Sequence, residues 1–172
     1  MRRSMLAVVP LAMTVMMLTA QVATAATEIH DPHDVGGKLD IESVDASRNG
    51  GALEVAVTMY GTWPSSLLAH SGGNRIRILF DTDNDGSPEY TGTIVSVHGH
   101  LEMNIKGQGS TFEPLNVRRP DDNTALVTVP GGSPPNPAHA YHVAASATFV
   151  PASGPKKVDR APDHGWIDVP HA

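Results

Sequence analysis

From Leu53 to Tyr60 the chain alternates with a period of two: Leu53, Val55, Val57 and Met59 fall on one side, Glu54, Ala56, Thr58 and Tyr60 on the other. That period matches the pleat of a β-strand, where successive side chains point to opposite faces, and it fits no helix, where buried positions recur every three or four residues. The pattern returns at Ile76, Ile78 and Phe80, which alternate with Arg75, Arg77 and Leu79. Residues 90–98, 101–106, 112–117, 125–129 and 141–150 are further predicted strands. Asn49-Gly50-Gly51 is a hairpin turn signal that joins 53–60 to an earlier strand at 38–46. No period of 3.6 is sustained after residue 25, and 64–69 has room for one helical turn at most. Residues 130–138, with Gly131, Gly132, Pro134, Pro135 and Pro137, read as a surface loop, because proline has no N–H to give to a ladder. The expected fold is all-β: an antiparallel β-sandwich, jelly-roll or immunoglobulin-like, of about eight strands, in preference to an up-and-down barrel.

The first 25 residues are read as a secretory signal peptide rather than as part of that domain. Arg2 and Arg3 precede an apolar run at 6–20, and Ala23-Thr24-Ala25 meets the small-x-small rule for cleavage after Ala25. The run falls short of the ~20 residues a spanning helix needs, and Pro10 interrupts it. Cleavage leaves a single domain, 26–172, with no internal repeat and no later apolar run long enough to span a membrane. The expected product is an extracellular protein, secreted and released.

Charge and cysteine content then remove whole classes of function. The signal holds two of the 12 basic residues and none of the 18 acidic ones, so the mature chain is more negative than the −6 of the full sequence. Binding to nucleic acid depends on lysine and arginine against phosphate, and is not expected. The chain has no cysteine, which excludes disulfides and every thiolate-held zinc or iron–sulfur site. A domain of this size can still bury ~68–70% of its unfolded surface and fold without them.

The densest chemical signal is Asp81-Thr82-Asp83-Asn84-Asp85-Gly86-Ser87-Pro88-Glu89, four carboxylates in nine residues between two apolar strands. Calcium takes six to eight oxygen ligands, and side chains at positions 1, 3 and 5 of a loop converge when a glycine at position 6 permits a sharp bend. Asp81, Asp83, Asp85 and Gly86 occupy those positions. Ser87 is expected to offer its carbonyl and Glu89 its carboxylate, directly or through water. The loop is no EF-hand, since position 12 is Gly92 and neither flank is helical. A solvated acidic turn is the alternative, but four acids this close repel one another without a counterion. Calcium is therefore the expected cofactor, ahead of magnesium.

A second acidic site is conceivable where the ends of the domain meet, from Asp31, Asp34, Asp159 and Asp163. Against it stands a pairing of Arg160 with one of these acids. No catalytic residue is assigned. The chain has no GxSxG elbow, no HExxH and no phosphate-binding glycine loop. The alternative reading, a secreted metal-dependent hydrolase, requires three of His98, His100, His142 and His164 to share a pocket. Ligand binding needs only a surface, and sugar rings stack on flat aromatic faces. Trp63, Trp166 and Tyr90 are the tentative contacts, with Tyr60 and Tyr141 beside them. With three Phe, three Tyr and two Trp in the chain, packing is the stronger reading for most of these.

Three segments together resemble secreted bacterial β-sandwich domains related to the DOMON and family 9 carbohydrate-binding module group. They are Lys38-Leu39-Asp40-Ile41, the strand Ile76 to Phe80 running into Asp81-Thr82-Asp83-Asn84-Asp85-Gly86, and Asp159-Arg160-Ala161-Pro162-Asp163. The resemblance covers most of the mature chain. It implies a non-catalytic, calcium-stabilised sandwich that binds a glycan or another small-molecule ligand. The residues leave the oligomeric state open.

Overall fold

Every strand expected from the alternation forms, and the long ones turn one alternating apolar face inward. The computed structural model describes residues 26–49, 51–69, 72–135 and 141–169; the predicted signal at 1–25 lies outside them, as do Gly50, His139 and the side chain of Tyr141. In chain order the strands are β1 (Ala26–His30), β2 (Ile41–Asn49), β3 (Ala52–Met59), β4 (Arg75–Asp81), β5 (Tyr90–Val97) and β6 (His100–Gly107). They continue as β7 (Ser110–Thr111), β8 (Leu115–Arg118), β9 (Thr124–Val129), β10 (Tyr141–Phe149), β11 (Lys157–Ala161) and β12 (Ile167–Val169). A single 3-10 turn, Ser65–Leu68, occupies the place left for a helical turn. Among the described residues no helix is long and apolar enough to cross a membrane.

The all-β, antiparallel expectation holds, but the strand count and layering are corrected. Among the described residues the ladder contains twelve strands in one sheet, ordered β1-β2-β3-β9-β8-β6-β5-β4-β10-β11, with β7 on β6 and β12 on β10. The four strands beyond the expected eight are short, and their sequences ATEIH, ST, KVDRA and IDV carry no run of alternating apolar residues. Pairing with longer neighbours creates them; their own pattern does not. After β3 the chain leaves the local meander, enters β4 on the far side of the ladder, and works back through β5, β6, β8 and β9 to pair with β3. The sheet curls until β2 packs against β10, β11 and β12, so it nearly closes into a barrel.

The interior follows directly from the period of two. Leu53, Val55, Val57, Met59, Ile76, Ile78 and Phe80 are all fully buried, and they meet Ile94, Met103, Val127 and Val143 from the other strands. Side chains, in place of ladder bonds, hold the seam where the sheet ends approach. The Ile41 amide donates to Asp159 Oδ2 at 2.6 Å, Lys157 Nζ donates to the carbonyls of Val35 and Gly36 at 3.1 and 3.0 Å, and Thr27 Oγ1 donates to the Asp168 carbonyl at 3.2 Å.

Candidate functional site

β4 delivers Asp81 to the mouth of the acidic loop, and β10 sets its depth: Asp81 lies opposite His142 in the ladder and is completely buried. Beyond it the backbone curls through Asn84 at φ 61° and Gly86 at φ 91°, the left-handed region that asparagine and glycine tolerate best. The curl is held by the acids themselves. Asp81 accepts the amides of Asp85 and Gly86 at 3.2 and 2.8 Å, Asp83 accepts that of Asp85 at 3.2 Å, and Asp85 accepts that of Ser87 at 2.8 Å. Glu89 reaches back to the amide and hydroxyl of Thr82 at 2.5 and 3.0 Å. Asp81, Asp83, Asp85 and Glu89 each place one carboxylate oxygen within 4.8 Å of the others. Ser87, expected to contribute its carbonyl, is exposed at the rim.

Imidazole and indole rings flank this loop on the β10 side. His142 Nδ1 lies 3.5 Å from Asp81 Oδ2, and its Nε2 lies 2.9 Å from Asp168 Oδ1. The ring stacks on Trp166 with centroids 6.5 Å apart, and the Arg160 guanidinium lies 5.3 Å from the Trp166 ring centre. The histidine grouping required for a hydrolase does not assemble. His98, His100 and His164 are exposed, and among the described residues the only convergent groups of three or more ligand side chains are all carboxylate.

The aromatic candidates are placed differently from what a sugar platform requires. Trp63 is 2% exposed, its Nε1 donates to the Asn123 carbonyl at 2.9 Å, and the Arg119 guanidinium sits 4.2 Å from its ring centre. Trp63 is thus a core residue whose edge borders a small hollow lined also by Lys38, Thr62, Pro64, Arg119 and Asp122. Tyr90 is half-buried, tilted against Phe112 with centroids 5.9 Å apart. Trp166 is half-buried, with its ring engaged by His142 and Arg160 as above.

The second acidic group forms across the seam. Asp31 and Asp34, in the connection between β1 and β2, converge with Asp159 of β11, each offering an oxygen within 4.8 Å of the others. Asp163 is not part of that set, although its charge acts on Asp31. Burial first, and then the charges of Asp159, Asp163, Asp34 and Asp40, push the Asp31 carboxyl up to about 7. Burial also raises Asp159, against the opposing hydrogen bonds from the amides of Ile41 and Arg160. Arg160 does not neutralise the group, since its guanidinium donates to the carbonyls of Pro162 and Gly165.

A further surface was only half visible in the alternation. Arg75 and Arg77 point outward from β4, as their period predicts, and strand pairing brings Lys106 of β6 beside them with Thr91, Thr93 and Asn104. Together these residues line a concavity of about 530 Å³ to which, among the described residues, no carboxylate contributes. Neither arginine pairs with an acid among the described residues, and the Nε of each is buried without a partner. Burial, and then the like charge of Arg75, hold the Arg77 guanidinium below its ordinary value. No protein-family model, no curated protein and no solved structure matches the chain.

Proposed function

We propose that the chain is a secreted, calcium-binding β-domain that acts as a non-catalytic ligand-binding or interaction module. The observation that carries this reading is the convergence of Asp81, Asp83, Asp85 and Glu89 in one loop, with Asp81 fully buried at its base. Four carboxylates gathered in one loop favour calcium, because magnesium keeps several waters and is usually held by one or two carboxylates. The likeness to the DOMON and family 9 carbohydrate-binding group belongs to this reading, as does the finer description of the curled sheet as a flattened sandwich; both rest on the segments named in the sequence.

Calcium added to chelator-treated protein is expected to release or absorb heat on binding, and to add about 2.7 kcal/mol of stability at a hundredfold excess over Kd. Changing Asp83→Asn together with Asp85→Asn, two exposed side chains, removes half of the loop's four carboxylates and is expected to abolish the loop event in the titration. A double variant with the same calorimetric profile as wild type removes the loop from the reading.

The ligand surface in this reading is the concavity over β4, β5 and β6. Three cations, none of them paired with an acid among the described residues, favour an anionic ligand, such as a sulfated or uronic oligosaccharide, over a neutral sugar. A heparin-derived octasaccharide is expected to bind with strong salt dependence, and Arg77→Ala to weaken it about tenfold or more. Equal binding of a neutral cello-oligosaccharide, or unchanged affinity in the variant, counts against this surface.

A further inference from the structure

We propose that Asp31, Asp34 and Asp159 hold a second divalent cation, of the calcium class, which bridges the seam where the two ends of the curled sheet meet. The site is separate from the Asp81 loop and does not depend on it. Convergence of three carboxylates is the first observation; what points to a ligand is what burial has done to them. Asp31 is 3% exposed, and its Oδ2 has no hydrogen-bond donor among the described residues. Beside it Asp40 is 1% exposed, with Oδ1 in the same condition. A carboxylate removed from water without a donor or counterion is strongly unfavourable, and here its neighbours are further carboxylates.

No protein cation among the described residues fills that role. Lys157 is bonded to the carbonyls of Val35 and Gly36, and the Arg160 guanidinium to those of Pro162 and Gly165. His33 lies 3.4 Å from Asp40 Oδ2, on the oxygen that also accepts the Gly36 amide, and leaves Oδ1 unserved. The backbone is arranged in advance of any ion: the Tyr60 hydroxyl donates to the Asp31 carbonyl at 2.6 Å, the Asp31 amide donates to the Glu42 carbonyl at 2.9 Å, and the Ile41 amide fixes Asp159. A dication here satisfies the open oxygen of Asp31 and offsets the mutual repulsion of the group. It also ties the β1–β2 connection to β11, which the ladder leaves unpaired with β2. Because this link joins the two ends of the sheet, it acts on closure of the whole fold.

The experiment is calcium calorimetry on the chelator-stripped full chain in the background Asp83→Asn/Asp85→Asn, which disables the loop. One calcium equivalent is expected to remain. Adding Asp34→Asn, an exposed change that the fold tolerates, is expected to weaken that equivalent at least about tenfold. Adding Asp31→Asn is expected to abolish it while raising the melting temperature of the calcium-free protein, because a buried charge has been removed. Hydrogen exchange supplies a readout tied to the seam: calcium is expected to slow exchange at the Ile41 amide in the loop-disabled protein, and to have no such effect once Asp34 is changed. If the loop-disabled protein binds no calcium, or if Asp34→Asn and Asp31→Asn retain its affinity, the proposal is overturned. If wild type binds one equivalent that survives loss of the loop acids and disappears with Asp31→Asn, the seam site stands and the loop reading fails.

Discussion

Trp63→Ala is expected to destabilise the protein by about 3–5 kcal/mol, the range for emptying a large aromatic position in a close-packed core. The ring is 2% exposed, belongs to the core cluster, and its Nε1 donates to the Asn123 carbonyl. Alanine leaves a cavity, an unserved carbonyl and an Arg119 guanidinium without the ring it packs on at 4.2 Å. Arg119 also donates to the carbonyls of Trp63 and Asp122, so the loss spreads into the connection that precedes β9. Urea unfolding of wild type and variant measures the difference directly. A loss below about 1 kcal/mol, the level of an ordinary surface change, would place the ring outside the core.

Gly107→Ala is expected to cost about 1–3 kcal/mol, as overpacking does, and to weaken calcium binding at the Asp81 loop as well. Gly107 pairs with Tyr90 across β5 and β6. A Cβ there would lie 2.3 Å from Tyr90 Cδ1 and 2.4 Å from the Glu89 carbonyl oxygen. The Tyr90 ring can turn aside by itself, but the carbonyl is the backbone of Glu89, a loop acid, so relief of the clash moves Glu89. Gly61→Ala is the control, because nothing lies within 4 Å of its added Cβ, and it should stay within about 0.5 kcal/mol of wild type. Unfolding and calcium calorimetry on both variants decide the matter. If Gly107→Ala matches the control in stability and affinity, the close approach of β6 to the loop is wrong.

Legibility of this fold in its sequence varied with the range of the interactions involved. The faces of β3 and β4 were readable because strand orientation depends on neighbours two residues away, and water selects which face turns inward. β1, β11 and β12 were not readable. Their runs of three to five residues are too short for an alternation to be recognised, and they become strands when longer partners supply the hydrogen bonds. Trp63, a tentative ligand contact in the sequence, lies in the connection after β3; Asn123 and Arg119, which arrive from far along the chain, engage its ring.

The same division runs through the chemistry. The sequence by itself determined which residues face inward along the strands, and that Asp81, Asp83, Asp85 and Glu89 fall within reach of one point, because nine consecutive residues around a glycine bend have few ways to curl. Only the tertiary structure decided that twelve strands join one nearly closed ladder, that Arg75 and Arg77 share a concavity with Lys106, and that Asp31 and Asp34 meet Asp159 across the seam. Those meetings join residues distant in the chain. Their proximity follows from strand order and sheet curl, which depend on the whole core packing at once and leave no local period to read.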